Sequence, residues 1–252
     1  MAQHTPYPTA AQVLDLLVET LARHSSLSIT DERAIRKLRP RMYKVEKGAD
    51  IVRQGDHPHV AVMVINGMLA RYHTMQSGDR QYLSLHIAGD LPDLQSLFLG
   101  IMDHSLCAVS DAQIASFTHS EILALVKRAP SVGLAFWRHT LIDGAIFRQA
   151  ITSNGGRSAV ARVAHLFCEQ FTRARAVGSV SGWSCPFPLS QSQIGQMVGL
   201  SLPTVNRAAQ SVRKENCAEV HGGELRILNW RRLSQKAGFD PVYLHADLAE
   251  RA

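Results

Sequence analysis

The side chains that can do chemistry gather between Leu189 and Glu215, which reads LSQSQIGQMVGLSLPTVNRAAQSVRKE. Thr204, Arg207, Gln210 and Lys214 recur at helical spacing, with Asn206 and Arg213 beside them. All six are hydrogen-bonding groups able to meet bases or phosphates. An Arg such as Arg207 can fork onto guanine O6 and N7, and Asn206 or Gln210 can pair with adenine. A helix N-terminus carrying Ser201 and Thr204 suits a phosphate.

Two short helices crossing at a tight turn would position these groups. Ser190 caps the first, and Ile194, Met197 and Val198 turn inward. Gly195 falls where the helices come closest, and Gly199 supplies the left-handed residue that reverses the chain. Ser201 caps the second helix, Pro203 sits in its first turn, where a missing N–H costs nothing, and Val205, Ala208, Ala209 and Val212 make its buried stripe. Downstream, AEVHGGELRI reads as two strands around Gly222-Gly223, a wing beside the helices or a hairpin without that role. An ordinary helical hairpin explains the helices less well, because turn glycine, caps, polar face and local charge agree.

The remaining chain predicts an α+β protein: an N-terminal β-roll or jelly-roll sensor domain, a long dimerisation helix and a C-terminal winged helix-turn-helix. Helical patterns open it over 11–23 and from Thr30, with Thr30 as a plain N-cap. From Arg41 to Phe117 short apolar runs alternate with turn signals, the strongest being Asn66-Gly67, read as a two-residue hairpin turn. Helices follow over 120–127 and 131–153. The second carries Val132, Ala135, His139, Ile142 and Ile146 on one stripe and Leu134, Trp137, Leu141 and Ala145 on the next. Two apolar faces imply two packing partners, the barrel and a second copy of the helix, against the alternative of one helix buried within a domain. Asn154-Gly155-Gly156 reads as a break and hinge before a helix over 157–173. The domains expected are 1–130 (sensor), 131–153 (dimerisation helix), 154–156 (hinge), 157–233 (winged helix-turn-helix) and 234–252 (tail).

Charge points to the same segment. Lys and Arg number 10 against 4 acidic residues over 154–232, but 15 against 14 over 1–153. A basic excess in one segment is the footprint of phosphate contact. The four cysteines have no C-x-x-C pair and read as reduced and buried, against a zinc site, disulfide framework or iron-sulfur cluster. No apolar run reaches membrane-spanning length and the N-terminus lacks a signal-peptide pattern, so a cytoplasmic protein with no membrane partner is expected. G-x-S-x-G, H-E-x-x-H and phosphate-binding glycine loops are absent, which argues against an enzyme.

With Ile194-Gly195-Gln196, Val198-Gly199-Leu200-Ser201 and Thr204-Val205-Asn206-Arg207 in place, the chain resembles the Crp/Fnr transcription regulators over nearly its whole length. The resemblance implies a homodimer that binds double-stranded DNA at palindromic promoter sites and contacts RNA polymerase. Its DNA-contacting candidates here are Ser190, Gln191, Ser201, Pro203, Thr204, Asn206, Arg207 and Gln210. Where the best-known members place Arg and Glu at the start of the recognition helix, this chain has Leu202 and Pro203, so a different target sequence is expected. In cyclic-nucleotide-binding relatives a Gly-Glu-Leu stretch and a following Arg hold the ribose and cyclic phosphate. The matching stretch here is Gly89-Asp90-Leu91-Pro92-Asp93-Leu94, and no Arg or Lys occurs from Gln81 through Val126. A phosphate would be desolvated unpaired, so cyclic nucleotides should not bind in the usual mode. No cofactor is predicted. Haem on a histidine such as His73, His86 or His104, another small effector, a thiol switch and an empty sensor all stay open, as does a ligand- or redox-sensing module whose helix-turn-helix meets protein rather than DNA.

Overall fold

Thr9 opens the first helix of the computed structural model, which describes residues 8–245. Its hydroxyl accepts the Gln12 N–H while Gln12 Oε1 accepts the Thr9 N–H, a reciprocal cap that starts α1 (Ala10–Ala22). The second helix, α2 (Ile29–Ile35), is capped two residues before the expected Thr30. Ser28 is the cap, because the Asp31 carboxylate three residues on can accept both its N–H and its hydroxyl. Asp31 also accepts from Ser131 Oγ at 2.5 Å, and these bonds hold its carboxyl below the usual carboxylate range.

The described residues form two compact units, 8–69 with 85–141, and 70–84 with 142–245. In the first, β1 (Arg41–Val45), β7 (Ala112–Thr118) and β3 (Val60–Asn66) form an antiparallel sheet with β7 central, and β2 (Asp50–Val52) pairs with β6 (Ser105–Ala108). Leu14, Leu17, Leu21 and Ile35 from α1 and α2 pack on Met63, Ala115 and Phe117 of the sheet and on Ile122 and Leu125 of α4 (His119–Arg128). A second cluster, Val52, Val62, Val64, Leu106 and Ile114, fills the other side.

Asn66-Gly67 does not close a hairpin. β3 pairs with β7, not with β4 (Leu69–Thr74), and of the two turn residues only Gly67 has positive φ, at 83°. A β-carbon on Gly67 would lie 2.4 Å from the Asp111 carbonyl oxygen. Close backbone approach, not a primed turn, requires this glycine.

The long helix α5 spans Pro130–Gly156. It runs through Asn154-Gly155-Gly156, so the predicted break there is corrected: glycine inside a helix costs ~1 kcal/mol without stopping it. The interruption falls at Arg157-Ser158, where extended Ser158 caps α6 (Ala159–Ala176). Val132, Ala135 and Phe136 are buried, and Ala145 of the second stripe is too, but Leu134, Trp137 and Leu141 are 63%, 63% and 51% exposed.

In the second unit α6 carries Val163, Phe167 and Phe171 into the core and packs on α8 (Leu202–Lys214) and α9 (Trp230–Ala237). Phe167 meets Phe187 edge-on, with centroids 5.5 Å apart. The wing is three-stranded, in the order β8 (Ser184–Pro186), β10 (Glu224–Ile227), β9 (Ala218–His221), one strand more than predicted. Gly222 and Gly223 have φ of 59° and 82°, the double positive that a two-residue primed turn demands. Part of the expected tail is packed: α9 continues to Ala237, and a 3-10 turn over Pro241–Leu244 buries Leu244, while residues 246–252 lie outside the described residues.

Candidate nucleic-acid interface

Ser190 starts α7 (Gln191–Val198) with a reciprocal capping box to Gln193. The helix ends at Gly199, φ 65°, and Leu200 N–H returns to the Gly195 carbonyl at 3.0 Å. A β-carbon on Gly195 would stand 2.6 Å from Leu200 O and 3.3 Å from Val205 Cγ2, so α7 meets the following turn and helix at backbone distance. Ile194, Val198, Val205, Ala208 and Val212 close the core between the two helices.

The last carbonyls of α7 lack intrahelical donors, and side chains from three other elements supply them. Gln81 Nε2, on β5 (Arg80–His86), donates to Gln196 O. Asn154 Nδ2 donates to Met197 O at 3.4 Å, and Arg162 Nη1 to Val198 O at 3.3 Å. Arg162 Nε also donates to Arg157 O at 2.9 Å, which ties the α5–α6 junction to the end of α7. The Gln81 bond, with Arg71 Nη1 to Asp143 Oδ2 at 2.6 Å, ties 70–84 to the rest of the second unit.

The DNA-contact candidates on α7, α8 and their caps divide. Ser190, Ser201, Pro203, Asn206, Arg207 and Gln210 are exposed, while Thr204 and Gln191 are half-buried. Gln191 lines a cleft of about 160 Å³ with Asn206, Gln210, Arg213 and Glu219, and its Oε1 is buried without a hydrogen-bond partner. Ser201 has the extended backbone of a cap, but its hydroxyl makes no bond to the helix N–H groups; it meets Thr204 Oγ1 at 2.9 Å instead. Arg207 Nη2 donates to the same Thr204 oxygen at 3.2 Å. Arg213, 3.7 Å from Glu219, has its charge partly answered within the protein. Helix spacing alone does not reveal that pair, since Glu219 arrives on a wing strand.

The face therefore offers hydrogen-bond donors and acceptors over a well-packed apolar stripe, the arrangement of a helix that lies in a groove of duplex DNA. Residues 161–236 match the family model of the Crp-like helix-turn-helix domain, and residues 43–129 that of the cyclic nucleotide-binding domain. The chain belongs to the Crp/Fnr family. It is 23% identical over 228 residues to the transcriptional activator protein FnrA of Stutzerimonas stutzeri, spanning 90% of this chain and 93% of that one. It is also 23% identical to the fumarate and nitrate reduction regulatory protein of Escherichia coli, over 77% of each. In fold it is similar to FixK2 from Bradyrhizobium japonicum, with TM-score 0.71 and 20% identity over 81% of this chain and all of that one. This Crp/Fnr member is a DNA-binding transcription regulator.

In the first unit Asp93 is buried, and its Oδ1 accepts the Val62 N–H at 2.7 Å, so the carboxylate fastens its own segment to β3. His86 is buried 3.6 Å from Asp90, and His104 is buried 2.6 Å from Asp103. His73, on β4, is half-buried. Among the described residues no group of three His, Cys, Asp or Glu side chains is placed to hold a metal ion. Cys107, Cys168, Cys185 and Cys217 are buried, and none of the four is in a disulfide. Burial raises the Cys168 and Cys217 thiols and pushes Cys185 up to about 12, so these three stay protonated and poor nucleophiles. No helix among the described residues is long and apolar enough to cross a membrane.

Proposed function

We propose that this regulator acts in the cytoplasm as a homodimer, placing two α8 helices in successive major grooves of a palindromic promoter site, ~34 Å apart. The observation that carries this reading is the α8 surface: Asn206, Arg207 and Gln210 exposed in a row over buried Val205, Ala208 and Val212. Arg207 reads guanine, Asn206 and Gln210 read adenine, and Ser190, Gln191 and the first turn of α8 approach the phosphates. Pro203 meets base edges with an apolar surface. The names of the activator relatives support regulation of transcription rather than catalysis, and contact with RNA polymerase is part of the same proposal.

The dimer reading rests on Leu134, Trp137 and Leu141, large apolar residues on one exposed stripe of α5 that a second α5 would cover. The absence of Arg and Lys from Gln81 through Val126 supports a sensor that does not take cyclic nucleotides in the usual mode; the cation that folding brings beside Gly89 and Asp90 is Arg23, from the end of α1. Calorimetry with cyclic AMP and cyclic GMP checks this, and micromolar affinity would overturn it.

A mobility shift on a promoter pool tests the main reading. Retardation that weakens steeply between about 50 mM and 200 mM salt supports phosphate contact and groove binding. Absence of binding to any promoter sequence would instead favour a helix-turn-helix that meets protein.

A further inference from the structure

Thr204 sits on the first turn of α8 with its hydroxyl already committed along the helix surface. Ser201 Oγ lies 2.9 Å from Thr204 Oγ1, and Arg207 Nη2 donates to that same oxygen at 3.2 Å. A hydroxyl has one donor and two acceptor sites; Arg207 fills one acceptor site, and Ser201 takes either the second or the single donor that a phosphate would need. Ser201 is similarly occupied: it adopts cap backbone geometry, yet its side chain turns to Thr204 and not to a backbone N–H.

The direction of the chain matters. Side chains on a helix lean toward its N-terminus, and residues three apart are surface neighbours, so Arg207 reaches back over Thr204. The contact holds the guanidinium beside the first turn, the end of a recognition helix that meets base edges. It uses one of the five guanidinium N–H donors and leaves a pair free to fork onto guanine. An untethered Arg207 would have to give up several rotatable bonds of freedom on binding.

We propose that Thr204 is a positioning residue for Arg207: the Ser201–Thr204–Arg207 chain aims the guanidinium at one base pair, and Thr204 itself is not a phosphate ligand. This rests on the reading that α8 enters the major groove and assigns the origin of its sharpest base preference. It also revises the placing of Ser201 and Thr204 at the backbone. Their effect reaches the DNA as sequence preference carried by Arg207.

The test is selection of bound duplexes from a randomised DNA library by the full-length protein and its variants, with thermal melts to check folding. Wild type should enrich a site with a strong guanine preference at one position of each half. Arg207→Ala should flatten that position. Thr204→Val should reduce the same guanine preference about fivefold or more, leave the other positions unchanged, and add little on the Arg207→Ala background. Thr204→Ser, which keeps the hydroxyl, should retain the wild-type motif. Uniform weakening of Thr204→Val on all sequences with the guanine preference intact would overturn the proposal and make Thr204 a phosphate ligand. A Thr204→Ser variant as relaxed as Thr204→Val would overturn it as well. Failure of the wild type to enrich any motif would refute the groove reading itself, a result distinct from either.

Discussion

Gly195 on α7 faces the carbonyl oxygen of Leu200 across the reversal between the two helices, so closely that a β-carbon would lie 2.6 Å away. No rotamer relieves that clash, since a β-carbon does not rotate and a backbone oxygen cannot step aside. Gly195→Ala should lower stability by about 1 to 3 kcal/mol, as overpacking does. Gly199→Ala tests a different cause: its φ is 65°, and a β-carbon there would meet only Arg162 Nη1 at 3.9 Å. Its cost should be about 1 to 2 kcal/mol from the left-handed backbone alone. Thermal melts check both, and an unchanged melting temperature for Gly195→Ala would contradict the packing described.

The exposed stripe of α5 predicts the oligomeric state. Replacing Trp137 or Leu141 with Glu puts a charge where apolar partners should meet, and sedimentation should then report one chain rather than two. DNA affinity should fall at the same time, because each monomer holds half a site. A Trp137→Glu protein that stays dimeric would place the interface elsewhere.

Arg162 ties the end of α7 to the α5–α6 junction through Val198 O at 3.3 Å and Arg157 O at 2.9 Å. A hydrogen bond from a charged donor contributes roughly 1.5 to 3 kcal/mol where it is not exposed, and the long bond to Val198 O adds little to the shorter one. Arg162→Ala should therefore destabilise the helix-turn-helix by about 2 kcal/mol and increase amide exchange in α7. Exchange rates unchanged over 191–198 would show that the other caps suffice.

His165 predicts a pH dependence. It stacks on Tyr243 at 5.9 Å and meets Phe239 edge-on at 5.3 Å, and burial, aided by the positive charge of Arg157, pulls its imidazole down from 6.5 to about 4. In that window the unfolded chain binds the extra proton and the folded one does not. This contribution to stability is therefore full above about pH 6.5 and is lost as pH falls toward 4, up to about 3 kcal/mol. Glu169, 2.7 Å from Tyr243 Oη, works the other way, because burial raises its carboxyl. The difference between wild type and His165→Phe isolates the histidine. Urea unfolding at pH 7 and pH 5, followed by tryptophan fluorescence, should show a steeper acid loss for wild type; equal losses would remove His165 from the account.

The helix-turn-helix was legible in the residues alone because its information is local. Caps at Ser190 and Ser201, Gly199 at the reversal and apolar positions at helical spacing all lie within 26 residues, from Ser190 to Glu215. The wing turn at Gly222-Gly223 was legible for the same reason. Local signals also misled where partners came from a distance. Asn66-Gly67 has the chemistry of a hairpin, but β3 found its partner in β7, nearly fifty residues on, and β8 joined the wing from before the helices.

What the sequence by itself determined is therefore where the helix-turn-helix lies and which face of its second helix is polar, since periodicity and capping act over a turn or two. Tertiary structure alone decided how the groups on that face are held. Only folding could bring Gln81, Asn154 and Arg162 onto three successive carbonyls of α7, set Glu219 beside Arg213, and let α5 continue through Gly155 to end at Gly156. The reason is physical: a side chain's hydrogen-bonding capacity is written in its type, but the partner that satisfies it is selected by what packing leaves within about 3 Å.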